Sequence, residues 1–439
     1  MKKLILAMLC IASMTLTSCN VGNLSIDGLL VAPKLTTEQQ KIHETLIQSV
    51  GKGITLKYPK NGNNRSAFVI ANIDDEPTNE ALVLYEHDNL SLDSGGIRIS
   101  VLDQNSNGEW TSRHDIAGAG TDVDQILISK LGGNQINIIV GYATMDLNEK
   151  VLEIYSYADG KLNRIFEDKY NVLETIDIDN DGSNELITVQ NNPTDSTSTV
   201  SLLSYQDSGI QKVNTIRMSD GTTSVLKYLK GKVLPTHKAL FIDCHKSTND
   251  VQTEIVFYRY SSLQNPMAQI GEELSLKTSR PSGYYCSDVD GDGIIEIPTV
   301  KPLPGYEDKQ PEEQLYLTTW SVYEDYYSLK EKYTGYYSIA NGYNFVFPEK
   351  WENKITVVKD TANNEAVFYK YDGKLDGNMS EIMRIGVSVR SETKNYTDEG
   401  YQVIRSIGQV DFVVKLSGDI RDELSLQLSD VKRNFYVIS

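Results

Sequence analysis

Two stretches, DIDNDGSNEL at residues 177–186 and DVDGDGIIEI at residues 288–297, decide how this chain is read. Each places carboxylates at positions 1, 3 and 5, a Gly at 6 and a Glu at 9. Alternate side chains of a tight loop converge on one point, so this spacing suits a single hard cation, and the Gly takes the turn a side chain would obstruct. An EF-hand needs an acid at position 12, where these loops carry Thr188 and Thr299. LITVQ and IPTV follow, and both read as strands. The units are therefore strand–loop–strand, and the other reading, solvated Asp/Gly turns, is weakened by two copies with the same offsets.

The loops are also milestones of a repeat. Turn centres fall at Pro77, Gly132, Gly182, Gly231 and Gly293, at intervals of 55, 50, 49 and 62 residues. Around each centre the order is an apolar strand, a turn, a second strand, a gap and two more strands. The third unit reads LETIDID, ELITVQN, TVSLLSY and GIQKVNTIRM. Four strands at this period predict a mainly β chain and a β-propeller of about five four-stranded blades, six being possible, over residues 55–333. An elongated array or a β-sandwich is the alternative.

The DxDxDGxxEL loop within such a repeat resembles the FG-GAP/VCBS repeats of integrin-type propellers and bacterial surface proteins. The resemblance implies calcium held by Asp177, Asp179, Asp181 and Glu185, and again by Asp288, Asp290, Asp292 and Glu296. The first unit, NIDDEPTNEA, offers Asn72, Asp74, Glu76 and Glu80 but has Pro77 in place of the Gly, which proline's fixed φ cannot replace. The second and fourth units keep only LGGN and LKGK.

Lys2 and Lys3 precede LILAMLCIASMTL, a charged and then apolar opening typical of a secretory signal over residues 1–18. The sequence LTSC at its end resembles the bacterial lipobox, which implies a lipid on Cys19 and an extracytoplasmic protein anchored to the cell membrane. The formal charge of −18 argues against nucleic acid as a partner. Cys244 and Cys286 fall on strands of different units and are expected as half-buried thiols, not a disulfide. Residues 19–54 form a tether and then a helix with Thr36 or Thr37 as N-cap, a Gly51/Gly53 stop and an apolar stripe of Ile42, Leu46, Ile47 and Val50.

From residue 334 the repeat stops. Strands and a closing acidic helix, DELSLQLSDVKRNFYVI, predict a small α+β domain over residues 334–439. Its opening, GYNFVFPEKW at residues 342–351, loosely resembles PsbP-like domains. The order of lipobox, helix, propeller and GYxFxFP module resembles VCBS-repeat lipoproteins of Clostridium-like Gram-positive bacteria.

None of the five histidines, His43, His87, His114, His237 and His245, has a partner at metal spacing, and no GxSxG elbow, Walker A loop or Rossmann fingerprint is present. The tyrosines near residues 323–337 suit strand packing better than sugar stacking. The expectation is a non-enzymatic binding or scaffold protein whose partner is a cell-envelope protein or glycan. The alternatives are an extracellular hydrolase of cell-wall glycan or glycopeptide, since two distant carboxylates suffice for that chemistry, and a solute-binding lipoprotein.

Overall fold

The computed structural model describes residues 35–438 apart from residues 75, 89–95, 147–148, 193–196, 208, 247–249, 270–271, 326–327, 376–377, 391–398, 418 and 420. The expected signal segment, residues 1–18, and Cys19 lie outside the described residues. Among the described residues no helix is long and apolar enough to cross a membrane.

The apolar run Glu185–Asn192 shows how the layers form. It is a strand buried on both faces. Leu186 joins Leu131, Ile139 and Leu152 on one side, whereas Ile187 and Val189 meet Leu240, Ile242 and Val256 on the other. Side chains alternate along a strand, so a continuous apolar run serves two neighbouring sheets. The chain is mainly β, and its described residues form six antiparallel sheets of four or five strands. Sheets two to four are simple meanders: Asp122–Ser129 through Lys161–Tyr170, Val172–Ile176 through Gly209–Arg217, and Thr222–Leu234 through Ser262–Gln264. Their apolar clusters run in chain order, one between each sheet and the next. Among the described residues no such cluster joins the first sheet to the fifth or sixth.

The helix Thr37–Val50 covers the free face of the first sheet, as its stripe predicts. Ile42 and Leu46 are buried against Phe68, Val83 and Trp110. Thr36 is its N-cap and forms a capping box with Gln39, and Gly51, at φ 91°, ends it.

Three expectations about the elements are corrected. Gly231 is not a turn: it lies within strand Thr222–Leu234, and the chain turns at residues 235–236. A Cβ on Gly231 would sit 2.3 Å from Ile295 Cγ1, so the glycine admits the second acidic loop, whose Gly293 O accepts the N–H of Lys232 at 2.7 Å. The boundary at residue 334 falls inside strand Ser328–Ser338. That strand pairs with Tyr343–Val346, which pairs in turn with Phe435–Val437, so the far end of the chain completes the fifth sheet. The closing helix spans only Leu428–Arg433, because the apolar residues after it form that last strand.

Cys244 and Cys286 are free thiols and fully buried, beyond the half-burial expected. They lie in clusters on opposite sides of the fourth sheet, which keeps them apart. Beside Cys286 runs a buried ion pair that no sequence motif announces. Arg280 Nη2 donates to Asp243 Oδ1 at 2.7 Å, and both side chains are inaccessible to solvent.

Candidate functional site

Each acidic loop links an inner strand or bridge to the next strand, and one carboxylate fixes its shape. Glu185 Oε2 accepts the N–H of Ile178 at 3.1 Å, and Glu296 Oε2 accepts that of Val289 at 2.7 Å. Glu80 Oε2 accepts the N–H of Ile73 at 2.8 Å, again from seven residues upstream, so the degenerate first loop keeps the same frame. Within the loops the short acids close Asx turns. Asp179 accepts the N–H of Asp181 and Asp181 that of Ser183, while in the second loop Asp288 accepts those of Gly291 and Gly293. Gly182 and Gly293 hold φ of 93° and 83°, the region glycine enters without a Cβ penalty.

Three of the four predicted ligands converge in each loop. Ligand oxygens of Asp177, Asp179 and Glu185 lie within 4.8 Å of one another, as do those of Asp288, Asp290 and Glu296. Asp181 and Asp292 stand outside these clusters. Two acidic clusters can therefore hold a metal ion. The first fits a hard divalent cation well: Asp177 Oδ1 is buried and has no partner among the described residues. Glu185 is buried, and that burial, with Asp179, Asp181 and Asp177 close by, pushes its carboxyl up to about 7. Lys238 Nζ reaches only the rim, 2.6 Å from Asp177 Oδ2.

The second loop differs. Lys332 Nζ lies 2.8 Å from Asp290 Oδ2, 2.8 Å from Asp292 Oδ2 and 2.7 Å from Glu296 Oε1. Tyr333 donates its hydroxyl to Asp290 as well. The loop leaves no buried carboxylate oxygen orphaned among the described residues. Nothing in the local pattern DVDGDG signals this lysine, which comes from the strand Ser328–Ser338.

Sequence reasoning also missed a cavity of about 520 Å³ between the inner strands of sheets two, three and four. Asp124, Lys150, Tyr170, Asn191 and Tyr228 are among the residues lining it. The buried Asp124 accepts hydrogen bonds from Asn61 at 2.7 Å, Lys150 at 2.9 Å and the Tyr170 hydroxyl at 2.6 Å. Asn191 Oδ1 is buried with no partner among the described residues. Burial pushes the Tyr228 hydroxyl up to about 12, so it stays protonated. These groups come from three sheets, so no sequence window could hold them. The histidines serve elsewhere: His114 Nδ1 accepts the N–H of Leu162, and His245 bonds Ser282.

No family model matches the chain, and no curated protein matches it. Among solved structures it is similar to exotype rhamnogalacturonan lyase YesX, at 11% identity and a TM-score of 0.28, covering 71% of this chain and 61% of the lyase. A Lactobacillus plantarum protein is similar at 12% identity and a TM-score of 0.30, covering 75% of this chain and 94% of that one. An exo-β-1,3-galactanase from Phanerochaete chrysosporium is similar at 11% identity and 0.26, covering 77% and 80%. Two of these three are, by name, glycan-active enzymes. That finding goes against the expectation of a non-enzymatic binding or scaffold protein, which is not retained. At these TM-scores the similarity transfers no reaction to this chain.

Proposed function

We propose that the protein is an extracytoplasmic enzyme acting on glycan, with the cavity between sheets two, three and four as the site that receives a sugar unit. The observation that carries this reading is the cavity lining. Its size falls within the range of small-molecule sites. Amide, hydroxyl and tyrosine groups line it beside Val172, Leu173, Val225 and Leu226, Asn191 offers an unused acceptor, and the carboxylate of Asp124 is balanced by Lys150. Such a lining suits a neutral polyhydroxylated ligand better than an ion or an apolar one.

The cluster at Asp177, Asp179 and Glu185 is read as a structural calcium site, and the sheets of the repeat as blades of FG-GAP/VCBS type in a propeller-like stack. The chain is read as lipid-anchored through Cys19, so Cys19→Ala should shift it out of the membrane fraction or leave an unprocessed precursor. The test of the enzymatic reading is incubation with purified peptidoglycan and with pectic and galactan oligosaccharides. Released sugar is expected, lost in Asp124→Asn and reduced in Tyr228→Phe. Absence of turnover on every substrate, or turnover unaffected by both substitutions, would refute it.

A further inference from the structure

The two acidic loops share a frame but not a cation, and the reason lies in a strand two places away. In the fifth sheet Ile297 pairs with Ser321, and Ser321 with Glu331; the next pair is Trp320 with Tyr333. Lys332 is skipped and forms a β-bulge. In the third sheet Leu186 pairs with Leu203, and Leu203 with Lys212; the next pair is Leu202 with Asn214. Val213 is skipped there. Leu186 follows Glu185 and Ile297 follows Glu296, so Val213 and Lys332 hold the same place relative to the two loops. A bulge re-aims the extra residue and breaks the ladder locally. At this place Lys332 delivers its ammonium to three carboxylates, whereas Val213 is 41% exposed and delivers nothing. The first sheet skips Arg113 in the same way, and its guanidinium pairs with Asp103, the residue across the ladder from Glu80.

We infer that the bulge residue of each unit sets whether its acidic loop takes a metal ion: Lys332 stands in for the divalent cation of loop 288–296, and loop 177–185, with Val213 at that place, is left to bind calcium. The second loop thus does not fit the ion that its sequence implies. An ammonium among three carboxylates offsets one of their charges and occupies the point where their oxygens converge, and an incoming ion would have to displace it and leave it unpaired beside a divalent charge.

The statement about the first loop rests on the calcium reading above, and a reciprocal exchange separates the two. Calcium bound per chain is counted by equilibrium titration of the metal-stripped full chain, with melting temperatures alongside. Wild-type protein should bind one ion, Lys332→Val two, and Val213→Lys none. Asp290→Asn should leave the wild-type count unchanged. A wild-type count of two that falls with Asp290→Asn would overturn the inference, as would a wild-type count of one that stays at one in Val213→Lys. Should Lys332→Val unfold without metal, recovery of its melt by calcium supports the inference, and failure to recover counts against it. A wild-type chain that binds none, beside a Lys332→Val chain that binds one, would refute the calcium reading of the first loop and sustain the role of the lysine.

Discussion

Glu80 has the frame of a metal loop without a cation to match. Its Oε1 is buried without a partner among the described residues, and burial is the chief cause that pushes the carboxyl up to about 7. A carboxyl raised in the folded state favours the protonated form. Its contribution is full below the ordinary carboxylate range and is lost as pH rises through about 7. In chelator, stability should therefore fall by on the order of 1–2 kcal/mol between pH 5 and pH 8. Glu80→Gln should flatten that part of the profile in denaturant melts at several pH values. Arg280 is the opposite case, a buried charge that is fully paired. Arg280→Met would strand Asp243 in the core and should cost about 3–5 kcal/mol, read from the same melts. The sequence marked Glu80 only as a position of the degenerate loop and Arg280 not at all, because burial and partner choice are set by distant strands.

At the scale of elements, the strands were legible and their joints were not. Runs such as ELITVQN are apolar on both faces, so they announce strands buried between two sheets, and the stripe of Ile42 and Leu46 announces the covering helix. Gly231 was misread since a glycine beside lysines looks like a turn; its purpose is room for Ile295. The bulge at Lys332 is a property of register, which one strand's sequence does not contain. The two loops were found by spacing alone, and six of the eight predicted ligands converge. For the first loop, calcium at about 1 mM should add roughly 0.5–1.5 kcal/mol if its dissociation constant is ~10⁻⁴–10⁻³ M. Asp177→Ala should abolish the difference between melts with calcium and with chelator, and an unchanged difference would exclude this loop as the source. Loss of the helix cap through Thr36→Ala should cost about 1 kcal/mol, since the capping box holds the first turn.

Across the whole molecule, sheets two to five each lend one face to the sheet before and one to the sheet after, so stability passes from neighbour to neighbour. The fifth and sixth sheets are joined most closely, by a cluster holding Tyr343, Phe345, Trp351, Phe368, Phe412 and Phe435. Phe435 stacks on Tyr343 at 5.1 Å and meets Phe412 at 5.2 Å. Phe435→Ala should cost about 3–5 kcal/mol and lower the melting of both sheets together, as followed by tryptophan fluorescence of Trp320 and Trp351. Separate transitions for the two sheets in that variant would show that they are independent units.

The pairing of Phe435–Val437 with Tyr343–Val346 also sets a timetable. Sheets two to four are built from consecutive strands and can close as the chain leaves the ribosome, each on its predecessor. The fifth must wait with an open edge while the whole of the sixth is being made, and only the arrival of residues 435–437 seals it. For that interval the nascent protein exposes an aromatic strand, Tyr343–Val346, whose backbone seeks a partner. It is the moment in the chain's synthesis when a chaperone or a stray β-edge would find most to hold.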